Sequence, residues 1–262
     1  MSRTQRLRVV VGQRLAYYGA DPSLAFWEEH WGRLTEDSLR LAASGYLGHF
    51  PTRVLTWLPY GERILEAGCG PGTVTLALRA RGYLAEGVEW APDLVGRVRA
   101  LWPEAPVRVG DVTALDVPDA TYGACLSLGV CEHREAGPEP FILELRRVLR
   151  PRGTLVVSVP YFHWLRRAVF ASTAVPNDTM AEPFYQFAFT AREFRAIIED
   201  LGFEILDCTG YGVWFGLVDD FPRLSTLERV PALGSRIGGL VDRLPFVRGW
   251  LGHMVLLVAR RR

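Results

Sequence analysis

Lysine is absent from the chain: every side chain in the Lys+Arg count of 30 is Arg, and Asn occurs once, at Asn177. Proteomes adapted to extreme heat are enriched in Lys, so this composition points to coding bias before thermostability. An excess of charge of either sign is lacking too. Against 29 acidic residues the formal net charge is +1, which gives no electrostatic case for nucleic acid as a main partner. Long apolar runs are missing. After a basic start, Val9-Val10-Val11 is too short for a signal-peptide core, and no stretch is long enough to span a bilayer. Cysteine is scarce: Cys69, Cys125, Cys131 and Cys208 form no C-x-x-C pair of the kind that holds metal. The expectation is a reduced, cytoplasmic protein without a structural metal. At 262 residues, 49% hydrophobic and 23% charged, the chain can hold one large domain, or one domain with appendages.

What is present centres on Ile64-Leu65-Glu66-Ala67-Gly68-Cys69-Gly70-Pro71-Gly72-Thr73. An apolar strand runs into an acid, then a glycine-rich turn, then a helix start whose free N–H groups point back at the turn. The glycines let backbone approach a ligand closely. They do not spell the dinucleotide fingerprint G-x-G-x-x-G, whose third glycine would fall on Thr73. Glu66 is the sharper clue. A carboxylate there repels a pyrophosphate and attracts a ligand bearing an ammonium and a sulfonium; the plainer reading is a solvated acid at a strand end.

From Arg63 onward the pattern alternates. Strands are expected at Ile64-Leu65, Leu84–Glu89, Pro106–Val109, Tyr122–Leu128 and Thr154–Val159, with helices over 74–81, from Pro92, and over 140–149. Such alternation predicts an open, doubly wound parallel sheet with right-handed crossovers, and ligands in such sheets sit outside the carboxyl ends of the strands. Glu89 ends the second strand, where an acid accepts from vicinal ribose hydroxyls. Asp111 follows the third and would read an adenine edge while Val112 packs on its face. Trp90 would cover the other face, or pack helix against sheet. Ser127-Leu128-Gly129-Val130-Cys131-Glu132-His133 closes the fourth strand with a small residue, an acid and a histidine.

Together these residues resemble class I S-adenosylmethionine-dependent methyltransferases of the small-molecule type. The matching segments are Leu65 to Gly72, Gly87-Val88-Glu89, Gly110-Asp111-Val112, Ser127 to His133, and Leu145 to Gly153, where Arg152 replaces a glycine common in the family. The resemblance implies a seven-stranded, mostly parallel α/β sheet of Rossmann-like type with its last strand antiparallel. It implies S-adenosylmethionine as cofactor. Glu66 would hold the methionyl ammonium through the loop or a water, with Gly68, Gly70 and Gly72 giving backbone room. Glu89 would bind the ribose, Asp111 and Val112 the adenine, and Leu128 and Gly129 the methionyl side. Two other readings stay open: a nicotinamide-dependent oxidoreductase, and a catalytically silent member that binds cofactor or a partner.

A methyltransferase domain is expected over 61–262, with insertions at about 160–189 and 210–250, behind a helical, aromatic-rich extension at 1–60. Trp27 and Trp31, four apart, share a helical face that packs on the domain or lids the cofactor. The aromatic insertion is the expected wall for a small or lipid-like acceptor, or its rings form a core of their own. If the acceptor needs a base, the candidates are His133, His163 and Tyr185; each histidine has a structural alternative. Leu227, Val230, Leu233, Ile237, Leu240 and Leu244 form an apolar stripe, with Arg229, Arg236 and Arg243 on another face. It reads as core packing, with contact at a membrane surface as the alternative.

Overall fold

Residues 7–18 depart from the helical reading of the N-terminal segment. Leu7–Val11 (β1) and Arg14–Tyr18 (β2) pair as an antiparallel hairpin. Valines and tyrosines suit a pleated surface, and Gly12, at φ +60°, turns the chain between them. The computed structural model describes residues 7–32, 34–171, 182–221, 224 and 244–262. Helices Leu24–His30 (α1) and Glu36–Ala43 (α2) and a 3₁₀ turn at Thr52–Trp57 complete the extension.

The alternating segments then take their expected places. Strands β3 (Arg63–Ala67), β4 (Leu84–Glu89), β5 (Val107–Val109), β6 (Tyr122–Leu128) and β7 (Leu149–Pro160) run parallel. Between them lie α3 (Thr73–Ala80), α4 (Pro92–Leu101) and α5 (Glu139–Val148). After β7 come α6 (Trp164–Phe170), β8 (Phe184–Ala188), α7 (Ala191–Asp200), β9 (Phe203–Tyr211), α8 (Val213–Asp220), α9 (Pro245–Leu251) and β10 (Met254–Arg261). Sheet order is β5-β4-β3-β6-β7-β10-β9, and β10 is antiparallel to both of its neighbours. Strand order reverses between β3 and β6, the switch point where ligands bind in such sheets.

Both faces of the sheet are covered, which is why its strands read as near-continuous apolar runs. Leu155, Val157 and Val159 of β7 join one core with α5 and α7, while Val156 joins another with Ala77 and Leu78 of α3. A second sheet, β1-β2-β8, is welded to the end of β7. Phe162 donates its N–H to the Phe189 carbonyl (2.8 Å), and Phe189 donates to Pro160 (2.9 Å). The aromatic insertion therefore supplies a strand that pairs with the N-terminal hairpin. The stripe of Leu227, Val230, Leu233, Ile237 and Leu240, with Arg229, Arg236 and Arg243, lies outside the described residues. Among those described, no helix is long and apolar enough to cross a membrane.

Candidate active site

The turn after β3 holds Gly68, Gly70 and Gly72, all with left-handed φ of +73°, +52° and +75°. At each of them a side chain also has no room; a Cβ on Gly72 would lie 2.6 Å from Val107 Cγ2. A Cβ on Gly68 would lie 2.6 Å from Val130 Cγ2, and one on Gly70 would lie 2.9 Å from the Trp31 ring. The loop after β6 and the end of α1 thus both bear on the glycine turn.

Glu66 is 4% exposed. Its Oε2 accepts the Thr75 backbone N–H (2.7 Å) and the Thr75 hydroxyl at the start of α3. Burial raises its pKa to about 7 against the lowering effect of those bonds, and Glu89 adds like-charge repulsion. The acid is therefore no solvated strand end. Glu89 Oε2 accepts the Gly70 N–H (2.9 Å), and Oε1 accepts those of Trp90 (3.0 Å) and Ala91 (3.1 Å). Burial raises its pKa against these three bonds. Its carboxylate is fixed to the turn, with lone-pair capacity left on Oε2 for one further donor. Asp111 is exposed, and its Oδ1 accepts the backbone N–H and the hydroxyl of Thr113, both at 2.7 Å. Val112 is buried beside it, and Trp90 remains half exposed at the end of β4. Among the described residues, none of these three carboxylates is in an ion pair.

On the other side of the switch point, Leu128 and Gly129 lead into a 3₁₀ turn, Cys131–His133. Gly129 donates to the Ser158 carbonyl at 3.0 Å. His133 Nδ1 lies 2.8 Å from the Tyr185 carbonyl. A carbonyl only accepts, so Nδ1 carries a proton and donates it to that oxygen. Rings of Trp27 and Tyr185 pack edgewise on this imidazole, each at 4.9 Å. At its other end α1 is held by Arg97, whose guanidinium donates to the carbonyls of Trp31 (3.3 Å) and Glu28 (3.0 Å). The Trp27/Trp31 face packs on the domain, Trp27 against His133 and Trp31 beside Gly70.

The three base candidates are not used alike. His133 and Tyr185 stand together, their ring centroids 4.9 Å apart. His163 instead caps α6: its Nδ1 accepts the Arg166 N–H at 3.4 Å, and burial and Arg166 push its pKa down to about 3. The sequence reading passed over Glu132, whose only local sign was an acid next to a histidine. It is 2% exposed, burial raises its pKa to about 8, and Oε2 has no hydrogen-bond partner among the described residues.

A family profile described as a methyltransferase domain matches residues 39–207. A Mycolicibacterium smegmatis protein named "Probable S-adenosylmethionine-dependent methyltransferase" is 31% identical over 159 residues, 61% of this chain and 58% of that one. A Mycobacterium tuberculosis protein of the same description is 31% identical over 191 residues, 72% of this chain and 61% of its own. The chain thus spans about three fifths of the length of these curated relatives. Two solved structures share the fold. One is a Haloferax volcanii methyltransferase in complex with the Trm112 methyltransferase activator (TM-score 0.60, 16% identity, 91% of this chain and 97% of that one). The other is a Methanosarcina mazei S-adenosylmethionine-dependent methyltransferase (TM-score 0.56, 16% identity, 82% and 99%). With this match the nicotinamide reading falls away. The chain belongs to the class I S-adenosylmethionine-dependent methyltransferases.

Proposed function

We propose that the chain transfers the methyl group of S-adenosylmethionine to a small or lipid-like acceptor through an O, N or C atom. The observation that carries this is the set Glu66, Glu89 and Asp111, gathered at the carboxyl ends of β3, β4 and β5, none of them in an ion pair with an arginine of the described residues. Two of the three are buried, and Glu89 adds to the cost of ionising Glu66. A ligand with an ammonium and a sulfonium relieves that cost; a pyrophosphate worsens it. The residues present therefore fit the family's cofactor.

When bound, the sulfonium supplies an already activated methyl group, so the chain's own task is alignment and exclusion of water. Glu66 would hold the ammonium end, Glu89 one ribose hydroxyl through its remaining lone pair, and Val112 and Trp90 the faces of the base. Leu128 and Gly129 would border the methionyl chain. Helix α1, with Trp27 and Trp31, would cover the bound cofactor. Alignment of this kind is worth roughly 7–11 kcal/mol of barrier. Tyr185 and the insertion strand β8 border the acceptor side, while Phe187 and Phe189 are spent on the core.

Calorimetry tests the reading. S-adenosylmethionine and S-adenosylhomocysteine are expected to bind with 1:1 stoichiometry, NADH is not, and silence of the wild-type chain toward both nucleosides would end the proposal. Isotope-labelled cofactor incubated with a host metabolite extract then identifies the acceptor. Binding without any labelled product would favour the catalytically silent reading.

A further inference from the structure

Glu132 is the buried acid for which the binding scheme above has no use. It sits on the 3₁₀ turn after β6, one turn of chain from Val130, whose side chain packs on Gly68. Around it converge the distal strands of the sheet. Its Oε1 lies 3.5 Å from the Cβ position of Gly129, a position also 3.7 Å from Met254 at the start of β10. The Tyr211 hydroxyl at the end of β9 feels its charge and is pushed up to about 12, mainly by burial, while sharing a 2.9 Å hydrogen bond with Ser158 Oγ of β7. His133 Nε2 stands 4.0 Å away. The titratable groups facing Glu132 are thus His133 and Cys131 on its own turn and Tyr211 from β9. No arginine of the described residues pairs with it.

A buried carboxyl oxygen without a partner costs about 1–3 kcal/mol or more, so native chains rarely keep one that has no later use. Glu66 and Glu89 are each satisfied by backbone N–H groups; Glu132 Oε2 is not. It lies on the β6 side of the switch point, across the glycine turn from the groups assigned to the nucleoside.

We propose that Glu132 is the catalytic base of methyl transfer, and that the acceptor is therefore protic, a hydroxyl or an amine. In the step, the acceptor X–H attacks the methyl carbon and an X–C bond forms. The S–C bond breaks with its electron pair going to sulfur, which becomes a neutral thioether. The proton on X passes to the Glu132 carboxylate. Burial keeps the group mostly protonated at neutral pH until a cation arrives; the sulfonium that brings the methyl group also ionises its base.

This inference rests on the methyltransferase reading, and its test needs no acceptor. Sinefungin is the cofactor analogue that carries an amine-bearing carbon in place of the methylated sulfonium, so its ammonium stands where the methyl would be transferred. S-adenosylhomocysteine lacks that charge and shares everything else, including the ammonium that meets Glu66. Calorimetry at pH 7 in two buffers of unlike ionisation enthalpy gives affinity and proton release for both ligands. Wild type is expected to prefer sinefungin by at least about tenfold, and to release up to about one more proton with it than with S-adenosylhomocysteine. Glu132→Gln should lose both differences and keep its S-adenosylhomocysteine affinity within about twofold. A variant that retains the preference, or that loses both ligands equally while melting like wild type, overturns the proposal. Equal affinity and equal proton release in wild type overturn it without any variant. If S-adenosylhomocysteine itself fails to bind wild type, the methyltransferase reading fails first.

Discussion

At the scale of single residues, the glycine turn is set by two carboxylates that do different work. Glu89 gathers three backbone N–H groups from both sides of the turn, so removing it strips the turn of its clamp as well as the ribose of a partner. Glu89→Ala is expected to weaken S-adenosylhomocysteine binding by at least about tenfold, as calorimetry would show, because buried donors are left unpaired. Glu66 acts through its charge. Its pKa near 7 in the free protein must fall when an ammonium binds beside it, so binding releases a proton. The sign follows: affinity for S-adenosylhomocysteine should rise with pH up to about 7 and then level off, and Glu66→Gln should flatten the rise. A pH-independent affinity in wild type would contradict the placement of the ammonium at Glu66.

At the scale of elements, the sheet was legible because its signals are local. The strand of Tyr122–Leu128 runs to the same ends as expected, and Pro92 opens α4 where an N1 proline should. The Thr190 hydroxyl accepts the Glu193 N–H, the bond that their spacing announces; Thr190→Ala should cost about 1 kcal/mol in thermal unfolding. The hairpin β1–β2 was missed because its five-residue strands are short and its third strand, β8, lies more than 160 residues further on. In the site, Glu66, Glu89 and the glycines announce themselves within one strand–helix–strand unit, β3 to β4. Glu132 does not, since the groups around it, Tyr211 and Met254 among them, come from strands that only the fold brings near. The same distance hides Arg166. Its side chain is 1% exposed; Nε meets Asp220 at 2.7 Å, and Nη1 and Nη2 meet the His253 carbonyl and Nδ1 at 3.3 and 2.9 Å. Arg8 of β1 joins Asp219 and Asp220 from the other side, at 2.8 and 2.9 Å. This cluster ties the small sheet to α6, α8 and β10. Breaking it leaves Asp220 buried and short of one partner, so Arg166→Met should cost about 3–5 kcal/mol in denaturant unfolding.

At the scale of the whole molecule, these buried groups set an unusual dependence of stability on pH. Glu66 and Glu132 have folded pKa values of about 7 and about 8 against an ordinary value of 4.5, and Glu89 is raised as well. Between the ordinary value and the folded one, the folded chain holds more protons than the unfolded, so these acids subtract stability as pH rises. His163, lowered to about 3, and His253, lowered well below 6.5, act in the opposite sense. Held neutral in the fold, they add stability as pH rises toward 6.5 and nothing beyond it. Below pH 4.5 the histidines act together with Glu144, which its hydrogen bond to Arg147 holds below the ordinary value, and stability falls with acidification; from 4.5 to 6.5 the raised acids and the histidines offset one another. Above 6.5 only the acids still titrate. The ligand-free protein should therefore lose stability from pH 6.5 to 8.5, by an amount on the order of a few kcal/mol. Thermal melts across pH 4–9 check this, and a melting temperature that holds or rises over that alkaline limb would refute it. The cofactor's ammonium removes part of the penalty at Glu66, so the rise in melting temperature given by S-adenosylhomocysteine should be larger at pH 8 than at pH 6. Combining Glu66→Gln with Glu132→Gln should level the alkaline limb, because neutral amides have no proton to lose.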